Sequence, residues 1–102
     1  MDASYLCQGQ FFEWDIEKAA MNLLKHGVSF EKACEVFFDP FVRILEATDR
    51  EDEARDAAIG FTKDLSMLFV VHLVRVNEET EAIRIISARA ATPGEREQYE
   101  AY

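Results

Sequence analysis

The sequence predicts an α+β fold: an antiparallel β-sheet with two N-terminal helices and one C-terminal helix packed on it. Three observations carry that prediction. Apolar residues recur at helical spacing over Ile16, Ala19, Ala20, Leu23 and Leu24. From Phe41 to Arg89 the period changes to strand-like runs separated by short polar turns, which favours antiparallel pairing. At Thr92-Pro93-Gly94-Glu95 a helix-start signature returns, with Thr at the N-cap, Pro at N1 and Glu at N3.

Each element has its own local cause. Residues 1–10 are polar and unpatterned and are expected to form a flexible tail, leaving residues 11–102 as one domain. Phe11–Trp14 reads as a short first strand. Asp15 is placed to cap the first helix, with Lys18, Asn22 and Lys25 on the face opposite its apolar residues, and Gly27 ends it. Ser29 caps a second helix that turns Phe30, Ala33, Cys34 and Phe37 inward and stops before Pro40. Strands follow at Phe41–Ala47, Arg55–Phe61, Met67–Val76 and Ala82–Arg89, with an acid-rich turn at Thr48–Glu53. A last helix covers about Thr92–Tyr102.

Composition narrows the function. The 102 residues carry 20 acidic and 11 basic groups, a net charge of −9. That balance argues against a general nucleic-acid coat protein, which needs an excess of Lys and Arg, and suits a basic protein partner. A hydrophobic content of 49% excludes a disordered chain. Cys7 and Cys34 fit neither a disulfide scaffold nor a metal site, and His26 and His72 stand in no metal-binding spacing. With no phosphate-cradling glycine loop either, no cofactor is expected. The N-terminus has no secretory pattern, and the longest apolar run, Met67–Val71, is too short to span a bilayer, so a cytoplasmic protein without membrane contact is expected.

One stretch reverses the acidic trend. Between Ala82 and Arg96, three arginines (Arg84, Arg89 and Arg96) face Glu95 alone, a local charge of +2. Guanidinium groups fork onto phosphate oxygens with two parallel hydrogen bonds, so this cluster is a candidate phosphate clamp, or else a solvated surface paired with nearby glutamates. His72 lies mid-strand, where a half-buried structural role competes with catalysis. His26 follows Lys25 at a helix C-terminus, where the dipole favours a cation.

The chain resembles the BrnT toxin family. The residues that carry this are Phe12-Glu13-Trp14-Asp15, Lys18-Ala19, Asn22-Leu23, Lys25-His26-Gly27-Val28-Ser29-Phe30 and Val36-Phe37-Phe38-Asp39-Pro40. They continue through Arg55, Ile59-Gly60, Arg84-Ile85-Ile86-Ser87-Ala88-Arg89, Glu95-Arg96 and Tyr99. The resemblance implies a RelE-like ribonuclease fold and the toxin of a type II toxin–antitoxin system. It implies an RNA-cleaving growth inhibitor, neutralised by a BrnA-type antitoxin that reaches DNA, possible as a heterotetramer, so that the toxin meets DNA only indirectly. The chain departs from the family pattern in its first ten residues and its acidity, with five acids between Thr48 and Asp56. For a metal-independent endoribonuclease, Lys25, Arg84 and Arg89 are the expected phosphate contacts, and Arg55 and Arg96 further substrate contacts. His26 or His72 would be the base or acid, and Ser87 a hydrogen-bond donor. The alternative is a weakly active or non-catalytic module that works mainly through its complex with the antitoxin.

Overall fold

The computed structural model describes residues 1–46 and 55–101, so the turn expected at Thr48–Glu53 lies outside the described residues. Six strands form one sheet: β1 (Asp2–Cys7), β2 (Gln10–Asp15), β3 (Arg43–Glu46), β4 (Asp56–Phe61), β5 (Met67–Val76) and β6 (Glu81–Ala90). Their spatial order is β1-β2-β6-β5-β4-β3. Neighbours run antiparallel except β2 and β6, which pair in parallel over Phe11–Glu13 and Ala82–Arg84. The sheet is therefore mixed, and the α+β class holds.

The first correction concerns residues 1–10. They form β1 and the turn of a hairpin, with Asp2 opposite Asp15 and Cys7 opposite Gln10. Gln8 and Gly9 both take positive φ, 50° and 82°, the backbone of a two-residue turn whose twist matches the strands it joins. Ala3, Tyr5 and Cys7 pack against the core while Asp2, Ser4 and Leu6 point the other way. The polar residues that hid the strand are its outer face.

The second correction concerns helix α1 (Ile16–His26). Asp15 caps it, accepting from the backbone N–H groups of Glu17 and Lys18, and Gly27 ends it at φ 71°. Its orientation is rotated from the expected one, with Ala19 still against the core. Asn22 is its buried residue, whereas Ile16, Met21, Leu23 and Leu24 are exposed, Leu24 at 85%. The expected second helix divides into α2 (Phe30–Cys34) and a 3₁₀ turn at Glu35–Phe38. This turn presses on β4 at Gly60, where a Cβ would sit 3.0 Å from the Val36 carbonyl oxygen.

The core under α1 and α2 gathers Phe12, Trp14, Phe30, Cys34, Val36, Val70 and Ile85, all nearly inaccessible. Trp14 meets Phe30 edge-on at 5.8 Å between centroids. Each such side chain contributes about 1.5–3 kcal/mol by leaving water. On the opposite face, α3 (Pro93–Glu100) packs against β4, with Tyr99 edge-on to Phe61 at 5.4 Å. Its capping box forms as expected: Thr92 Oγ1 accepts from Glu95 N–H, and Glu95 Oε1 accepts from Thr92 N–H. Tyr99 also donates its hydroxyl to Asp39 Oδ2 at 2.6 Å. Against its burial, the Phe61 backbone N–H first and this hydroxyl second hold the Asp39 carboxyl below its ordinary range, and the phenol is pushed up to about 12 chiefly by burial.

Candidate active site

Strand β6 changes character halfway along. Val71 pairs with Ser87 but His72 pairs with Ile85, which leaves Ile86 as an extra, unpaired residue. Such a bulge re-aims side chains, and Ile86 and Ser87 turn into one cleft. Beyond Arg84 the partner strand β2 has turned away into α1, so β6 loses a neighbour. The Asn22 carboxamide takes that neighbour's place. Its Nδ2 donates to the carbonyls of Ala88 (2.8 Å) and Val28 (3.0 Å), and its Oδ1 accepts from Ala88 N–H (3.1 Å).

That anchor seats α1 beside the bulge and opens a cleft of about 500 Å³. Lys18, Lys25 and His26 line it from the helix, Ser87 and Ile86 from the strand, and Asp15, Glu17, Met21 and Asn22 complete the wall. Asp15 already serves as helix cap: backbone N–H groups, that of Lys18 first, hold its carboxyl below the usual range. Two ammonium groups, an imidazole and a hydroxyl thus share one open pocket. This arrangement can hold an anion, donate hydrogen bonds to it and exchange a proton.

The remaining expected site residues lie outside that lining. Arg84 is caged on the sheet face opposite the core: Nη1 meets Glu13 Oε2 at 2.7 Å, and Asp2 takes both Nη1 and Nη2 at 3.0 and 3.1 Å. These partners raise the guanidinium pKa, with the Asp2 hydrogen bond first. Arg75 adds a second cation 3.7 Å from Glu13. Arg89 forks onto Glu95, both contacts at 2.8 Å, and stacks 4.5 Å from the centre of the Phe69 ring. His72 is buried on the core face, edge-on to Phe37 at 4.8 Å, with Nδ1 3.3 Å from the Val70 carbonyl. Burial lowers its pKa. Arg55 stands just before β4, and Arg96 is exposed on α3.

Sequence reasoning missed Lys18 and Asn22 as site residues, although their spacing with Lys25 on one helix face was visible. Among the described residues, no group of three or more His, Cys, Asp or Glu side chains could hold a metal ion. None of the helices there is long and apolar enough to cross a membrane.

Fold and cleft together define a small α+β protein with a pocket beside a sheet bulge that gathers two lysines, two carboxylates, a histidine and a serine, a lining able to hold a polar anion and move protons. The family model for the ribonuclease toxin BrnT of type II toxin–antitoxin systems matches residues 14–95, four-fifths of the chain. The chain belongs to that family, and a type II system implies an antitoxin partner. A search among curated proteins finds no match.

Proposed function

We propose that this chain is a metal-independent endoribonuclease that arrests growth by cleaving cytoplasmic RNA, held in check by a BrnA-type antitoxin. The observation that supports this reading most is the meeting of Lys18, Lys25, His26 and Ser87 in one cleft of a ribonuclease-toxin family member. RNA can be cut by its own 2′-hydroxyl, which attacks phosphorus and expels the 5′-oxygen, leaving a cyclic phosphate. In this reading an unprotonated ring nitrogen of His26 takes the 2′-hydroxyl proton as that oxygen bonds to phosphorus, and the departing 5′-oxygen takes up a proton from water. Lys25 and Lys18 hold the non-bridging oxygens, and Ser87 donates a hydrogen bond to one of them as charge builds. His72 is left out, because its ring is enclosed by the core. Arg84 and Arg89 give phosphate contacts along β6 to flanking nucleotides, with Arg55 and Arg96 further out.

The test is cleavage of a defined RNA by the purified protein, with EDTA present. His26→Ala and Lys25→Ala should each lose about 10²–10⁴ in rate, the worth of one placed proton transfer or charge contact. Full activity in both variants would overturn the assignment. The complex with antitoxin is expected as a heterotetramer, checked by its solution mass, with DNA contacted only through the antitoxin.

A second reading is favoured by one observation. The forks of both Arg84 and Arg89 are occupied by carboxylates, and the chain carries −9 overall. Under it the chain is a weakly active or non-catalytic module that acts through its antitoxin complex. Intact RNA after prolonged incubation, with the antitoxin complex still forming, would select it.

A further inference from the structure

The guanidinium of Arg84 is held as a phosphate would hold it. Asp2 presents two carboxylate oxygens to its two terminal nitrogens at 3.0 and 3.1 Å, in the parallel fork a phosphate also adopts. Glu13 takes the remaining contact at 2.7 Å. Arg84 is well covered, its side chain 15% exposed, while Asp2 is 54% exposed and sits on β1, a sheet-edge strand paired to β2 alone. Both carboxylates precede Trp14, where the match to the ribonuclease-toxin family begins. Glu13 belongs to the Phe12–Asp15 run that carries the resemblance to that family, so it is Asp2 that is supplied from outside what the chain shares with it. Among these four side chains Arg75 and Arg84 balance Asp2 and Glu13, and removing the Asp2 charge leaves them at +1.

We propose that Asp2 masks an RNA-phosphate subsite at Arg84, so that the β1 strand sets how strongly this chain grips RNA beside its cleft. The proposal rests on the reading of the chain as an RNA-cleaving toxin. It makes Asp2 a residue that lowers affinity: an RNA phosphate must displace its carboxylate before it can engage the Arg84 fork. Glu13 stays beside Arg84 in either state and keeps the side chain extended across the sheet.

The experiment measures binding of a single-stranded RNA with 2′-O-methyl groups, which cannot be cleaved, across a series of salt concentrations. Wild type, Asp2→Asn, Asp2→Ala and the double variant Asp2→Asn/Arg84→Gln are compared, each shown folded by its thermal melt. Asp2→Asn and Asp2→Ala should tighten binding several-fold at low salt. They should steepen the dependence of log K on log salt by about 0.7, the contribution of one phosphate contact on a single strand. Adding Arg84→Gln should abolish both gains, bringing the two quantities to wild-type values or below them. Unchanged binding in both single variants, or a gain that survives Arg84→Gln, would overturn the mask. Cleavage of unmodified RNA by the same wild-type sample separates the two failures. If wild type cleaves and the variants bind no tighter, the mask alone falls; if wild type neither binds nor cleaves, the underlying reading falls with it.

Discussion

The two halves of β6 share a strand but meet different neighbours. Up to Arg84 the strand lies between β5 and the parallel β2, and Arg84, its one cation there, is closed in by carboxylates delivered from β1 and β2. Past the bulge at Ile86, β2 is gone, and the backbone at Ala88 is met by a single side chain of α1. A strand neighbour runs alongside and fills the edge. A helix attached through one carboxamide stands off from the sheet, and the gap it leaves is the cleft with Lys18, Lys25, His26 and Ser87. The difference teaches that here a pocket is made by replacing ladder hydrogen bonds with one side chain that imitates them.

The largest test of that comparison is Asn22→Ala. It strips the partners from the Ala88 N–H and carbonyl and from the Val28 carbonyl. Buried groups left unpaired cost roughly 1–3 kcal/mol each before relaxation or water entry, so a loss of about 3 kcal/mol is expected in urea unfolding. A loss below about 1 kcal/mol would mean that α1 is held by something else. Next comes the bulge itself, where His72 faces Ile85. Burial lowers the His72 pKa in the fold, so the unfolded chain binds the proton more readily. Stability is therefore full above about pH 6.5 and declines as pH falls below it, by at most about 1.4 kcal/mol per unit. The loss between pH 6.5 and 5 precedes titration of the carboxylates. Unfolding of His72→Gln across that range should be flatter than wild type; an equal slope would assign the effect elsewhere.

Thr92→Ala comes third. It removes the hydroxyl that accepts from Glu95 N–H, while the Thr92 backbone N–H still donates to the Glu95 carboxylate, and should cost about 1 kcal/mol in thermal unfolding. No change would mean the Arg89 fork alone seats α3. Smallest is Leu24→Ser, a residue that the helical spacing assigns to the core and the structure exposes at 85%. Its unfolding free energy should stay within about 0.5 kcal/mol of wild type. A core-sized loss would restore the orientation expected from spacing.

Much of the fold was legible because its signals are local. Asp15, Gly27, Ser29 and the Thr92–Glu95 box act within one helical turn of themselves, and the Val- and Ile-rich runs of β5 and β6 announce buried strands. Lys25, His26 and Ser87 were named as candidates and do share a cleft. The single clamp expected from Arg84 and Arg89 instead divides into two caged guanidiniums. Their partners Asp2 and Glu95 lie 82 and 6 positions away, the first in residues read as a tail.

By itself, then, the sequence determined most of the strands, the capped helix starts at Asp15, Ser29 and Thr92, the helix stop at Gly27, and to which family the chain belongs. Caps, turn residues and apolar period act over a few neighbours and need no partner. Tertiary structure alone decided which face of α1 turns inward. Periodicity counts apolar side chains and assigns Ile16, Leu23 and Leu24 to the core. The unpaired backbone at Ala88 instead required a donor and an acceptor at once, and an unsatisfied strand edge costs more than a solvated leucine. Asn22 met that demand, and the position of every residue in the cleft follows from it.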